Sequence, residues 1–251
     1  MTASSVFVSN EAAYMLTDTA LMRAHEPGVV WKLAPKVVQS ERLRIAVAIS
    51  GDGIMFEYDD GRLASPLGAI HDLFEASATQ QEALAAFPGV IEQTDRTLLE
   101  MSHGTGSFRL VLALWRESGP EGYFASSSGD GLPGVQPSAL VRIEEEFVFP
   151  SVELQINPNR LASDKSEAVA MIEAQRRHRW TGGSCVDHFT IGGEGQLTRV
   201  DRHGITTETI VRWHDRIGRK IDPNRRQFLS WGRAHSTWRN WAVNLSPIHP
   251  Q

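Results

Sequence analysis

Residues 2–18 read TASSVFVSNEAAYMLTD, and further along the chain comes Lys36-Val37-Val38. The runs Ser5 to Ser9 and Ala12 to Asp18 are apolar, aromatic and β-branched, which predicts strand, turn, strand at the start of the chain. The second strand closes on a carboxylate, Asp18, and a third opens behind a cation, Lys36. Thr2 follows Met1, and a small residue in that place generally permits the methionine to be clipped. A terminal threonine would then carry a hydroxyl to attack with and an α-amine to accept its proton. That amine titrates near ~7.7–8.0, so a useful fraction is neutral at neutral pH. A lysine ammonium nearby would push it further toward its basic form, because like charges at close range disfavour each other.

The resemblance these residues carry is to the amino-terminal half of a proteasome β-type subunit, of the bacterial homologue type. It rests on Thr2, the strand-turn-strand ending at Asp18, Lys36-Val37-Val38, and the stretch Arg44 to Gly51. The family belongs to the amino-terminal-nucleophile (Ntn) hydrolases. Carried over, the resemblance makes Thr2 nucleophile and base, Asp18 the orienting carboxylate and Lys36 the electrostatic partner. Lys32 competes for the last role, but Lys36 leads straight into a hydrophobic strand, as the family's lysine does. The family's oxyanion donor is a backbone N–H in the strand-end segment, and Ala48 stands at the expected position in Ala46 to Gly53. The helix Glu167 to His178 followed by Thr181-Gly182-Gly183-Ser184 resembles the helix and glycine turn that bring a second aspartate and a serine beneath the threonine. His178 then falls at the aspartate position and Thr181 at the serine position. The family's other serine is left open between Ser126 to Ser128 and Ser151.

The implied fold is α+β, a four-layer αββα sandwich of two antiparallel sheets between helices. The order of elements supports it separately from the motif residues. Early strands also include Lys36 to Gln39 and Leu43 to Ser50. Ser65-Pro66 starts a helix to Ala76. Thr79-Gln80-Gln81-Glu82 starts another that reaches Met101, interrupted at Pro88. Phe108 to Trp115 and Gly122 to Ala125 read as a hairpin around Ser118-Gly119-Pro120, and Ala139 to Ile143 and Glu146 to Val152 as further strands. After a helix from Ser166 to Arg177, Val186 to Ile191 and Gln196 to Val200 are expected to pair across Gly192-Gly193-Glu194-Gly195. Domain organisation is read as residues 1–203, the Ntn-like body, and 204–251, an extension rich in Trp and Arg that packs on the body or at a subunit contact.

Composition narrows the function classes. A chain of 251 residues, 41% hydrophobic and 22% charged, can bury a large core. Its net charge of −5 gives no basic surplus for phosphate, so nucleic acid is not an expected partner. Cys185 is the only cysteine, which excludes an internal disulfide and a cysteine-rich zinc site and fits a reducing cytoplasm. No pair among the nine histidines has zinc-site spacing, and neither a metal nor a cofactor is expected. No apolar run approaches the roughly 20 residues of a membrane span.

Two functions follow. The first is a threonine peptidase that cleaves peptide bonds through an ester on Thr2, assembled as a homo-oligomeric ring, with room for an unfolding ATPase as partner; small amides are a variant substrate class. The second is a catalytically inactive scaffold of the same fold that binds through the 204–251 segment. The plain alternatives for the residues are an ordinary second residue for Thr2, a turn cap for Asp18 with Thr17 and Thr19, and a solvated surface position for Lys36.

Overall fold

The computed structural model describes residues 2–22, 26–51, 56–57, 63–64, 66–101, 107–129, 132–180, 188–224 and 232–233. Its strands are β1 (Ser4–Val8), β2 (Ala12–Asp18), β3 (Ala20–Met22), β4 (Val30–Leu33), β5 (Val37–Ser40), β6 (Ile45–Gly51), β7 (Phe56–Glu57) and β8 (Leu63–Ala64). Helices α1 (Pro66–Ala76) and α2 (Gln80–Met101) follow. Then come β9 (Phe108–Arg116), β10 (Gly119–Ser126), β11 (Val141–Ile143), β12 (Glu146–Phe147), α3 (Ser166–Arg176), β13 (Glu194–Asp201), β14 (Gly204–Arg212) and β15 (Gly232–Arg233). The fold is mixed, with antiparallel sheets and three helices among the described residues. One sheet runs β12-β1-β2-β13-β14-β15 and another β11-β10-β9-β6-β5, with two small two-stranded sheets beside them.

Three apolar layers follow from alternation along the strands. On β2 all seven residues are buried, so both faces are covered. Ala13 and Met15 meet Ala46, Ala48, Val111 and Ala113 of the five-stranded sheet, and the small alanines let the two sheets approach closely. Tyr14 and Leu16, on the opposite face, pack with Met171 and Ile172 of α3. On the far side of the five-stranded sheet, Ile45, Val47, Ile49 and Leu112 pack against Leu67, Ile70 and Phe74 of α1 and Phe87, Ile91 and Leu98 of α2.

Helix α1 has the bounds the sequence predicts. The start of α2 is a reciprocal cap: Glu82 N–H donates to Thr79 Oγ1 (3.2 Å), while Glu82 Oε2 accepts from the N–H groups of Ala78 (2.8 Å) and Thr79 (3.3 Å). Thr79→Ala should lower unfolding stability by about 1 kcal/mol, read by urea titration. The expected break at Pro88 does not occur; α2 runs through it. Burial of Phe87, Ile91 and Leu98 on one stripe offsets the lost backbone bond.

Three other expectations are corrected. The β9–β10 connection is the pair Glu117-Ser118, and Gly119 is already opposite Arg116. Residues 188–191, in the stretch expected to pair with β13, do not do so. Residues 186 and 187 lie outside the described residues, and His188 forms an isolated bridge to Trp180. Strand β13 instead pairs with β2 and β14. The 203/204 boundary therefore falls in the tight turn between β13 and β14, inside one sheet. Trp213 continues from β14 into the core beside α3. Trp231, Trp238 and Trp241 lie outside the described residues. No helix among the described residues is long and apolar enough to cross a membrane.

Candidate active site

The antiparallel register of β1 and β2 sets Ser4 opposite Thr17, which brings the segment just before β1 alongside the end of β2. Ala3 N–H donates to Asp18 Oδ1 at 3.0 Å. Thr2 is thereby tied next to Asp18 by backbone geometry. Lys36 arrives from the other sheet, one residue before β5. Its Nζ donates to Thr2 Oγ1 (2.9 Å) and to Asp18 Oδ1 (2.8 Å). Thr2, Asp18 and Lys36 are each 0% exposed. The structure thus brings together three of the residues singled out in the sequence. Lys36 is no solvated surface lysine, and Asp18 does more than cap a turn. Lys32 lies half-buried in β4, in register with Leu21.

Asp18 is held on both oxygens. Oδ2 accepts from Ala20 N–H (3.2 Å) and from Gly192 N–H (3.0 Å). With three backbone donors and the lysine, its rotamer is fixed and its anionic form is solvated by the protein. Burial pushes the Lys36 ammonium below its ordinary 10.5, and the charge and hydrogen bond of Asp18 pull it part of the way back. A desolvated lysine bonded to a hydroxyl can take or return a proton at that oxygen, and the carboxylate keeps it aimed there.

Ala48 does not serve as an oxyanion donor at this position. Ile49 N–H donates to Lys36 O (3.2 Å) and Trp115 N–H to Arg44 O (3.1 Å). These bonds fix the alternation along β6, so the N–H of Ala48 turns toward Val111 of β9, in mid-sheet. Ala48 is a packing residue between the sheets. The glycine at the strand end is Gly51, with φ +116°, on the Lys36 side of β6. A Cβ there would run into the backbone of Ser107, so the chain needs glycine at this point.

The second half of the expected constellation lies around the end of α3. His178 is exposed beyond the end of α3, its N–H bonded to Gln175 O (3.0 Å). Thr181 lies outside the described residues, as do Gly182 and Gly183. The glycine pair that reaches Asp18 is Gly192-Gly193: Gly192 donates to Asp18, and its carbonyl accepts from Thr19 (3.3 Å) and Ala20 (3.1 Å). The sequence signal is Gly192-Gly193 itself, which in sequence alone has the pattern of a hairpin loop. Ser126 and Ser127 are buried at the end of β10, with Ser127 Oγ accepting from Phe108 N–H (3.2 Å), whereas Ser151 is exposed. Among the described residues, no cluster of His, Cys, Asp and Glu could hold a metal.

Fold and site define an α+β protein with a buried Thr-Lys-Asp triad at the end of two packed sheets. Among solved structures, the chain is similar in fold to a Gly-1 mutant of Anbu from Hyphomicrobium sp. strain MC1, with TM-score 0.52 and 9% identity over 86% of this chain and 89% of that one. No protein-family model matches the sequence, and no curated protein matches it.

Proposed function

We propose that the protein is a threonine-type amino-terminal-nucleophile peptidase built as a four-layer αββα sandwich, which acts once Met1 is removed. The single observation that carries this reading is Lys36 Nζ bonded at once to Thr2 Oγ1 and Asp18 Oδ1, all three side chains fully buried. A buried lysine is costly, and a position that accepts the cost around a hydroxyl is a candidate reaction centre. Thr2 Oγ1 attacks the peptide carbonyl. Its proton passes to the freed α-amine through water, with Lys36 and Asp18 setting charge and geometry. The peptide C–N bond breaks as the α-ammonium returns that proton to the departing amine, and water then hydrolyses the ester on Thr2, freeing the acid product and the hydroxyl. Gly51 replaces Ala48 as the proposed backbone donor to the oxyanion.

The relocated glycine pair changes the other assignments. Asp187-His188-Phe189-Thr190 leads toward Gly192-Gly193, so Asp187 and Thr190 take the aspartate and hydroxyl roles that the resemblance had assigned to His178 and Thr181. His178→Ala should leave hydrolysis of fluorogenic peptides within about twofold, while Asp187→Asn lowers it about 10²-fold or more. Equal losses in both would return the role to the end of α3. The proposed peptidase is a ring-shaped homo-oligomer in the cytoplasm acting on peptides or unfolded proteins, with an unfolding ATPase as the partner to test for.

The inactive scaffold keeps one observation of its own: Thr2 is 0% exposed in the chain that carries Met1. A panel of peptide coumarylamides assayed with the wild type and Thr2→Ala separates the two readings. Turnover lost with Thr2 supports the peptidase, and no turnover across the panel supports the scaffold.

A further inference from the structure

Arg176, in the last turn of α3, and Asp215, beyond β14, form an ion pair whose side chains are 1% and 2% exposed. Arg176 Nη1 donates to Asp215 Oδ2 (2.7 Å) and Nη2 to Oδ1 (2.8 Å), a two-pronged pairing. The guanidinium also stacks on Trp213, 4.6 Å from the ring centroid. Burying such a pair gains little stability over an apolar pair of similar size, so its presence calls for another reason.

That reason is the turn it grips. Arg176 Nη1 also donates to Ile191 O (2.7 Å), and Asp215 Oδ2 accepts from Gly193 N–H (2.8 Å). The pair thus holds the chain on both sides of Gly192, whose own N–H is spent on Asp18. From the opposite side, Thr19 Oγ1 accepts from Glu194 N–H (2.9 Å). The space is closed: a Cβ on Gly192 would stand 2.6 Å from Asp215 Oδ2, and one on Gly193, at φ +76°, would collide with Thr19 Oγ1.

We propose that Asp215, locked by Arg176, is a positioning residue for Asp18: it fixes the Gly192-Gly193 turn against the end of β2, so that the Gly192 amide keeps the carboxylate aligned with Lys36 and Thr2. Neither Asp215 nor Arg176 bonds to Thr2, Asp18 or Lys36, so their effect is transmitted through the turn. The activity consequence rests on the peptidase reading, while the alignment of Lys36 does not.

The test uses the full chain with lysine labelled at ¹³Cε, which is simple because there are four lysines. The double variant Arg176→Met/Asp215→Leu removes both charges and leaves no orphan ion. With Asp18 released, Lys36 loses the charge that opposes its desolvation. Its titration midpoint should fall by about half a pH unit or more while the other three lysines keep theirs. Covalent labelling by a peptide β-lactone should slow about tenfold with its half-saturation unchanged. Arg176→Lys, a milder change, should lower the Lys36 midpoint by about 0.2 of a pH unit and slow labelling about threefold, and it stands in if the double variant does not fold. A folded variant whose Lys36 midpoint is unmoved overturns the proposal, whatever its labelling rate. A shifted midpoint in a protein that is never labelled upholds the clamp and removes the peptidase reading alone.

Discussion

Thr2→Ala should abolish covalent labelling and lower peptide hydrolysis by about 10⁴-fold or more, with little change in thermal midpoint. The substitution removes an oxygen that Lys36 Nζ bonds and leaves the rest of the network in place, since Ala3 N–H, Ala20 N–H and Gly192 N–H still bind Asp18. A small stability effect beside a total loss of reaction is the signature of a nucleophile. A large drop in stability with residual turnover would instead mark Thr2 as structural.

The second large effect is expected for Lys36→Met, with hydrolysis falling about 10³-fold because the charge that Lys36 places at Thr2 Oγ1, and that keeps the α-amine in its basic form, is lost. Its stability profile is as informative as its rate. The folded-state midpoint of Lys36 lies below the unfolded value of 10.5. Below the folded midpoint both states are charged, and the folded protein bears the full cost of burying the ammonium. Between that midpoint and 10.5 the unfolded chain binds the extra proton, so stability rises with pH. Above 10.5 both states are neutral and the cost is gone. Lys36→Met lacks this group. The stability of the wild type relative to the variant should therefore climb with pH toward about 10.5, as read by urea unfolding across the alkaline range. A flat or falling difference would mean that Lys36 is not held below its ordinary range.

Much of this architecture is legible in the chain because its signals are local. The alternation in Ala12 to Asp18, the proline-led start of α1 and the Thr79–Glu82 cap are each written within a few residues. Asp18 and Lys36 stand out as charges at the ends of apolar runs, where a strand end delivers a side chain to the same end of the packed sheets. What escaped the sequence depends on distant partners. Gly192-Gly193 looks like any hairpin loop until β13 pairs with β2 and carries it to Asp18, 174 residues away in sequence. The same sheet includes β14, although the resemblance in sequence ends near residue 204 and implies a boundary there. Ala48 was misplaced for a related reason: which N–H groups face outward along β6 is set by the β5 and β9 registers, which the residues of β6 alone do not encode. His178 matched only a count of residues after a helix, and the helix ends with it in solvent.

The proposed chemistry requires Thr2 as a free, reactive amino terminus. The most direct test is the intact mass of the purified protein before and after incubation with a peptide epoxyketone or β-lactone. The expected result is a protein that lacks Met1 and gains one adduct, with the adduct absent from Thr2→Ala. A protein that retains Met1 and takes up no adduct would contradict the peptidase assignment and leave the buried triad as a structural feature of a binding subunit.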